Sequence, residues 1–261
     1  MGLSGSAASD LRLITIAVLG LDQAGKTTTV KALEGVPTDC VTPTLGYCLS
    51  HITHKNGKIN LVDLGGVSTF RDSWKHYYDD SHGFIYVIDS SEMERIEENQ
   101  SVFEKLLQED KVKGKPILIL ANKQDKPSAL DENGILKALN IEKLLDQHKT
   151  LCRVILCTAQ SLGRANKINE SITHGFDWLV KTINAHYEDL RRRVDNDVQI
   201  KKQIESIEKS ERAERVKKIR EERANQSGGQ RENDDDIYDG TENPYIPIQQ
   251  AIRNAEIRNS D

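Results

Sequence analysis

The chain has 261 residues, more than one ordinary domain needs, with 37% hydrophobic and 30% charged residues and a net charge of −5 at pH 7. This acidic balance argues against general nucleic-acid binding. No run approaches the roughly 18 consecutive apolar residues of a membrane-spanning helix, and the N-terminus lacks the pattern of a secretory signal. The four cysteines form no Cys-x-x-Cys pair, which indicates free thiols in a reducing, intracellular compartment.

The distribution of apolar residues divides the chain into four segments. Apolar runs fill the sequence to about Ala185, and charged and amide residues dominate beyond it. We therefore expect one core-forming domain, a helix and a disordered acidic tail. The predicted segments are a flexible N-terminal stretch at 1–10, the domain at 11–185, a charged, partly amphipathic helix at 186–224 and the tail at 225–261.

Within the domain, short β-type runs alternate with helical segments. This order predicts an α/β fold with a mostly parallel six-stranded sheet covered by helices on both faces. Asn56-Gly57 marks a hairpin and hence one antiparallel edge. The expected strands are Leu13–Leu19, Cys48–His54, Ile59–Leu64, Phe84–Ile88, Pro116–Ala121 and Val154–Cys157. The expected helices are Lys26–Leu33, Phe70–Tyr78, Glu92–Gln108, Gly134–Gln147 and Asn169–Ala185.

The segment from Tyr187 to Ala224 contains neither glycine nor proline and is rich in Glu, Lys and Arg, which predicts a long helix. Its short apolar stripe runs through Ile183, Tyr187, Leu190, Val194 and Val198 and continues on a shifted face at Ile200, Ile204 and Ile207. Two interpretations remain open: a solvated helix that packs only its first turns on the domain, or a partner-binding or coiled-coil helix. Arg191-Arg192-Arg193 is either a solvated face or a contact for acidic lipid or an acidic partner.

A phosphate-binding pattern follows the first strand directly. Residues 20–27 read Gly-Leu-Asp-Gln-Ala-Gly-Lys-Thr and fit G-x-x-x-x-G-K-[ST] at every fixed position. Glycines let backbone N–H groups point at phosphate oxygens, Lys26 reaches the β- and γ-phosphates, and the Thr27 hydroxyl ligates Mg²⁺. The predicted nucleotide-binding residues of this loop are Gly20, Asp22, Gln23, Ala24, Gly25, Lys26, Thr27 and Thr28.

A base-reading pattern follows the fifth predicted strand, where α/β sheets bind ligands. It reads Asn122-Lys123-Gln124-Asp125. The Asp125 carboxylate can accept from N1–H and the 2-amino group of guanine, and adenine offers no such donor pair. We expect Asn122 to tie this loop to the phosphate loop and the Lys123 stem to lie along the base. After the last strand, Thr158 and Ala159 are predicted to offer a backbone N–H to the guanine oxygen.

Together these motifs resemble those of ADP-ribosylation-factor-type small GTPases with a Ras-like fold, and the similarity spans about Leu11 to Ala185. The motifs are Gly-Leu-Asp-x-Ala-Gly-Lys-Thr-Thr, Pro-Thr-x-Gly, Asp-x-Gly-Gly, Val-Ile-Asp-Ser and Asn-Lys-Gln-Asp, in the order of that family. Asp63-Leu64-Gly65-Gly66, Trp74-Lys75-x-Tyr77-Tyr78, Gly114–Leu118 and the charged helix are most similar to the ciliary ADP-ribosylation factor-like 13 branch.

The resemblance implies a GTP/GDP switch. Thr44 would contact Mg²⁺ and the γ-phosphate, Asp63 would hold Mg²⁺ through water, and the Gly66 N–H would touch the γ-phosphate. Loss of that phosphate would release both switch loops, and effector proteins would read the change. For this branch it also implies exchange-factor activity toward another ADP-ribosylation-factor-like GTPase, through the switch regions and the helix at 186–207. That surface would include Phe70, Trp74, Tyr77 and Tyr78, with the Leu190–Ile207 stripe beside it. Burial in the core explains such aromatic residues on a helix equally well, so both interpretations remain open.

One position departs from the family pattern. Asp-x-Gly-Gly is usually followed by a glutamine that orients the attacking water, and here the next residue is Val67. Valine has no donor or acceptor, so no catalytic residue is identified and intrinsic GTP hydrolysis is expected to be very slow. The alternatives from other classes are a non-cycling nucleotide-binding scaffold and an ATP-using enzyme, and Asp125 disfavours the latter.

The N-terminus offers one candidate site for a membrane anchor. Gly2 and Ser6 fit the N-myristoylation pattern. The same small and polar residues are equally typical of a disordered terminus without a lipid. A single acyl chain gives only reversible, peripheral membrane binding. Members of the factor-like 13 branch carry N-terminal cysteines for palmitoylation, and this chain has none before Cys40. The expected location is cytoplasmic to peripheral membrane, with the cilium implied by the branch.

Overall fold

A six-stranded sheet organises the domain in a computed structural model that describes residues 12–38, 41–55, 57–148, 150–160 and 170–226. The strand order is β2-β3-β1-β4-β5-β6, and every pair is parallel except β2 with β3. The α/β fold with one antiparallel edge is confirmed. The strands are β1 Arg12–Leu19, β2 Tyr47–His54, β3 Gly57–Leu64, β4 Gly83–Asp89, β5 Ile117–Asn122 and β6 Cys152–Leu156.

Helices cover both faces of this sheet because the central strands are apolar on both sides. Along β1, Ala17 and Leu19 pack into one core, and Ile16 and Val18 pack into the other. Helices α3 to α6 contribute to the first core, and α1, α7 and the start of α8 contribute to the second. The helices are α1 Lys26–Glu34, α2 Ser68–Arg71, α3 Lys75–Tyr78, α4 Ile96–Gln108, α5 Glu132–Ala138, α6 Ile141–His148, α7 Glu170–Ala185 and α8 Tyr187–Gln226.

Two predicted helices are interrupted in the structure. The expected helix at Gly134–Gln147 is two helices, because Asn140 adopts a left-handed φ of 50° between α5 and α6. The Asp131 side chain, which accepts from Gly134 N at 2.7 Å, caps the start of α5. The expected helix at Phe70–Tyr78 consists of α2, a 3-10 turn at Asp72–Trp74 and α3.

The long C-terminal helix α8 lies against the domain with its first turns. The stripe residues Tyr187, Leu190, Val194 and Val198 are all buried. Polar contacts accompany them, since Arg193 donates to the carbonyls of Lys113 and Asp110, and Lys111 pairs with Asp197 at 2.7 Å. By contrast, Arg191 and Arg192 are exposed. The later stripe residues are also exposed: Ile200 by 42%, Ile204 by 50% and Ile207 by 57%.

The remaining expectations on the chain ends concern residues outside those described. The N-terminal segment at 1–10 with Gly2 falls there, as does the tail from residue 227 onward, and Cys40 also lies outside the described residues. Residues 225 and 226, expected to begin the tail, belong to α8. Among the described helices, none is both long enough and apolar enough to cross a bilayer. Cys48, Cys152 and Cys157 are free thiols in the structure.

Docking of α8 is testable at Leu190. Leu190→Ala removes a side chain that is only 6% exposed in the second core and should weaken docking by about 2–5 kcal/mol. Trypsin should then cleave α8 between residues 190 and 226 faster than in the unmodified protein. Ile204→Ala, on the exposed side, is the matched control and should leave the cleavage rate unchanged. Equal rates for all three proteins would contradict this docking.

Candidate functional site at the carboxyl edge of the sheet

The phosphate loop curls tightly between β1 and α1. Gly20 has a φ of 137°, and a Cβ built there would lie 2.1 Å from the carbonyl oxygen of Val87. Gly25 has a φ of 97°, and its Cβ would lie 2.2 Å from Asn122 Nδ2. Gln23 is also left-handed, with a φ of 61°. Only glycine satisfies both the backbone angle and the close approach at positions 20 and 25.

Lys26 lies beneath this loop and is buried. Its ammonium donates to the Leu21 carbonyl at 2.7 Å, and burial lowers its pKa from 10.5 to about 8. A Cβ at Gly66 would lie 2.4 Å from Lys26 Nζ and 2.4 Å from Asp22 N. Gly66 therefore touches the phosphate loop, and a larger residue could not make this approach.

Three oxygens converge where α1, β3 and switch I meet. Switch I is the loop before β2 that carries Pro43-Thr44-Leu45-Gly46. Asp63 Oδ2 accepts from the Thr27 hydroxyl at 2.6 Å and from the Thr44 hydroxyl at 2.8 Å. The two hydroxyl oxygens are 2.9 Å apart. Burial raises the pKa of Asp63, and the two hydroxyl hydrogen bonds oppose this rise. Asp63 Oδ1 is buried without a hydrogen-bond partner.

This oxygen set fits a small hard cation. Mg²⁺ is usually held by one or two protein oxygens together with waters and substrate phosphates, not by an all-protein cage. Accordingly, the described residues contain no cluster of three or more His, Cys, Asp or Glu that could hold a metal. The unpartnered Asp63 Oδ1 is an acceptor left free for a metal-bound water, so the residues present fit the ion.

Asn122 joins three loops at the same edge. Its Nδ2 donates to the Ala24 carbonyl in the phosphate loop at 2.8 Å, and its Oδ1 accepts from Ala159 N at 2.8 Å. The Ala159 N–H is thus directed at Asn122, whereas the sequence predicted it to face guanine. Asp125 is exposed, and Thr158 is half-buried. The carboxylate of Asp125 is therefore accessible to a ligand beside this junction.

Side chains at the end of β4 support the base-reading loop. Lys123, with a φ of 66°, pairs with Asp89 Oδ2 at 2.5 Å, and this contact contributes to the lowered pKa of Asp89. Gln124 Nε2 donates to Ser90 Oγ and to the Leu130 carbonyl, each at 2.9 Å. The Val-Ile-Asp-Ser motif carried the resemblance, but its contact with this loop was not predicted from the sequence.

A charged network that sequence reasoning missed connects the phosphate loop to switch II, the segment from Gly65 to Tyr78 that follows β3. Asp22 Oδ1 accepts from Arg95 at 2.8 Å, and hydrogen bonding to Arg95 lowers the pKa of Asp22. Glu98 pairs with Arg95 at 2.8 Å and with Arg71 at 2.7 Å. Arg71 Nε donates in turn to the Gly66 carbonyl at 2.7 Å. The i,i+3 spacing of Arg95 and Glu98 was the available signal.

The structure decides between the two interpretations of the aromatic residues beside switch II. Trp74, Tyr77 and Tyr78 are 2%, 4% and 5% exposed and belong to the first core, so they do not form an open interface. The Trp74 indole N–H donates to the Gly65 carbonyl at 2.8 Å. Phe70 is half-buried. These rings pack inward because α3 lies on the apolar sheet face.

The position after Gly66 offers no polar side chain. Val67 is 38% exposed and precedes α2, followed by the exposed Ser68 and Thr69. Leu45, in switch I, is 80% exposed. The surface around the switches thus presents aliphatic side chains and not the predicted aromatic ones.

Comparison with known proteins decides the family. The model of the ADP-ribosylation factor family matches residues 5–183. The chain belongs to this family. It is 37% identical over 171 residues to ADP-ribosylation factor-like protein 2 of Dictyostelium discoideum, covering 65% of this chain and 87% of that relative. It is 34% identical over 192 residues to ADP-ribosylation factor-like protein 13B of Chlamydomonas reinhardtii, covering 74% of this chain and 36% of that relative.

A solved structure of the family shares the fold. The Arl6 BBS3 small GTPase from Trypanosoma brucei, with bound nucleotide analogue GppNp, superposes with a TM-score of 0.58 at 25% identity. The match covers 66% of this chain and 98% of that one. The Ras-like fold and the resemblance to ADP-ribosylation-factor-like GTPases are therefore confirmed for the domain.

The close approach of Gly20 to β4 can be tested against a second left-handed glycine. Gly20→Ala forces a Cβ onto the Val87 carbonyl and should cost well over 3 kcal/mol of unfolding free energy or abolish folding. Gly35 has a φ of 73°, and a Cβ built there would have nothing within 4 Å. Gly35→Ala should therefore lower the free energy of unfolding by only about 1 kcal/mol. Urea denaturation compares them, and similar losses would refute the close contact as the cause.

Proposed function

We propose that this ADP-ribosylation-factor family member is a GTP-binding molecular switch. The observation that carries the proposal is the junction at Asn122, which bonds the phosphate loop and the Ala159 loop beside the exposed Asp125. Phosphate-binding and base-reading residues are thereby held at one edge of the sheet. The binding set is the one predicted: Gly20, Asp22, Gln23, Ala24, Gly25, Lys26, Thr27, Thr28, Thr44, Gly66, Asn122, Lys123, Asp125, Thr158 and Ala159.

Recognition of the base would depend mainly on Asp125. A carboxylate accepts two hydrogen bonds from the guanine edge, and a purine without those donors leaves the charge unsatisfied. The Lys123 stem would lie along the base, and its ammonium pairs with Asp89. Because Ala159 N–H is engaged with Asn122, we assign discrimination between guanine and adenine to Asp125.

Binding of the triphosphate would engage both switches. Lys26 would neutralise phosphate charge, and the N–H of Gly66, a residue packed against the phosphate loop, would approach the γ-phosphate. Mg²⁺, when bound, would neutralise charge on the phosphate oxygens, held by Thr27, Thr44 and, through water, Asp63. Since Thr44 and Gly66 belong to different loops, loss of the γ-phosphate would release both.

Hydrolysis is proposed to be very slow. Val67 stands where the family pattern has a water-orienting glutamine, and its aliphatic side chain cannot hold a nucleophile. The protein would then stay long in its GTP-bound state. Regulation would depend on partner proteins that accelerate exchange or hydrolysis.

Finer roles follow from the branch resemblance. The similarity to the factor-like protein 13B of Chlamydomonas reinhardtii supports a role in ciliary or membrane trafficking and exchange-factor activity toward another family GTPase. Leu45, Val67 and the exposed isoleucines of α8 are the apolar residues available to effectors or to that GTPase. Peripheral membrane contact through myristoylated Gly2 belongs to the same proposal. The alternative is a scaffold that binds nucleotide without cycling and interacts through α8.

Nucleotide binding is the primary test. Purified protein, stripped of nucleotide and offered fluorescent GDP or a GTP analogue with Mg²⁺, should bind both, and excess ATP should not compete. Asp125→Ala should weaken binding by roughly 100-fold, because two charge-assisted hydrogen bonds are lost. Asp189→Ala, which removes an exposed carboxylate of α8, is the control and should bind normally. Failure of the unmodified protein to bind either guanine nucleotide would refute the proposal.

The effect of Val67 on turnover is tested by restoring the glutamine. Val67→Gln should raise single-turnover hydrolysis of preloaded GTP by roughly 10- to 100-fold, since catalysis is sensitive to the placement of the attacking water. Val67→Leu changes side-chain size without adding a polar group and should remain as slow as the unmodified protein. An unmodified rate equal to that of Val67→Gln would end the slow-hydrolysis proposal.

A further inference from the structure

The end of switch II is fixed by two lysines that lie far from it in sequence. Helix α3 ends at Tyr78, and the last carbonyls of a helix lack partners within it. Lys115 Nζ donates to the Tyr78 carbonyl at 2.7 Å, and Lys201 Nζ donates to the His76 carbonyl at 2.6 Å. Lys201 also places positive charge at this helix C-terminus, which is favourable. Burial lowers the pKa of Lys115 from 10.5 to about 7, so Lys115 acts here through its hydrogen bond. Lys115 and Lys201 thus supply hydrogen-bond donors that α3 cannot supply to its own last carbonyls.

The second lysine comes from the C-terminal helix. Lys201 lies one turn beyond the buried Val198 of α8 and also pairs with Asp80 Oδ2 at 3.1 Å. The Lys201 and Asp80 side chains are only 14% and 8% exposed. A second bridge accompanies it, because Lys111 lies 2.7 Å from Asp197 of α8 and 3.6 Å from Asp79. Two ionic contacts therefore join α8 to the segment that follows α3: a shielded one between Lys201 and Asp80, and a more exposed one through Lys111.

The contacts at the end of α3 continue to the start of switch II. Trp74, in the turn directly before α3, is buried, and its indole N–H holds the Gly65 carbonyl at 2.8 Å. That carbonyl and the Gly66 N–H belong to the same planar peptide, so fixing one orients the other. Tyr77 packs on Tyr47 at the end of switch I, with ring centroids 5.6 Å apart. Movement of α3 would therefore displace residues of both switches.

We propose that Lys201 is a positioning residue through which docked α8 holds switch II in its γ-phosphate-binding conformation. The inference rests on the proposed function and adds a regulatory element to it. Coupling between sites is reciprocal, so bound GTP should strengthen the docking of α8 as much as the docking strengthens retention of GTP. A partner that pulls α8 away would thereby loosen the triphosphate site without touching the nucleotide.

Dissociation rates of two nucleotides separate positioning from stability. In the full chain, Lys201→Met keeps the aliphatic stem and removes the ammonium. It should speed dissociation of a fluorescent non-hydrolysable GTP analogue roughly five- to tenfold. Dissociation of fluorescent GDP should change less than twofold, because GDP makes no contact with Gly66. Lys201→Arg should restore much of the retention.

Lys209→Met is the matched control, since Lys209 is an exposed lysine further along the same helix. It should change neither rate. Equal acceleration of both nucleotides by Lys201→Met, which indicates a merely structural role, or no acceleration at all would overturn the proposal. If the unmodified protein binds neither nucleotide, the proposed function fails as well, and that result is obtained before any variant is made.

Hydrogen exchange on the unmodified protein gives an answer that does not depend on a variant folding. Amides at 194–204 in α8 and at 74–80 should be better protected with the GTP analogue than with GDP. Equal protection in the two states would overturn the coupling between α8 and switch II.

Discussion

The two hydrogen bonds to Asp63 Oδ2 are the interactions on which the functional geometry depends. They connect Thr27, at the start of α1, and Thr44, in switch I, to the carboxyl end of β3. The carboxylate is buried, so it is costly to leave unpaired and strongly favours donors around it. The loop that carries Thr44 and the first turn of α1 thereby share one acceptor. Any ligand that competes for these hydroxyls changes how firmly switch I is held.

Switch II is held by different contacts from those that hold switch I. Side chains within and outside this segment donate hydrogen bonds to its backbone carbonyls: Arg71 to Gly66, Trp74 to Gly65 and Lys115 to Tyr78. Side-chain donors of this kind hold a segment whose own helices are only three or four residues long. The loop can therefore adopt a defined conformation against the phosphate loop and still be released by the loss of a few hydrogen bonds.

Much of this structure could be predicted from local sequence, and the remainder depends on long-range packing. Continuous apolar runs identified the buried parallel strands, and residues 20–27 were recognisable because glycine, lysine and threonine each satisfy a separate local requirement. The inward orientation of Trp74 and Tyr77 could not be read from a short helix, since aromatic residues suit cores and interfaces equally. The contact of Lys201 with Asp80 joins residues 121 positions apart, and no local pattern encodes it.

Because α8 is long, a small tilt of its docked end produces a large displacement of its far end. About 28 of its residues extend past Val198, which at 1.5 Å per residue is roughly 42 Å of helix. A tilt of about 10° at the docked turns would sweep the far end through roughly 7 Å, provided the helix stays straight. Small rearrangements beside the nucleotide would thus be amplified into displacements comparable to the width of a side chain. The orientation of α8 would then depend on the state of the nucleotide site beside its docked turns.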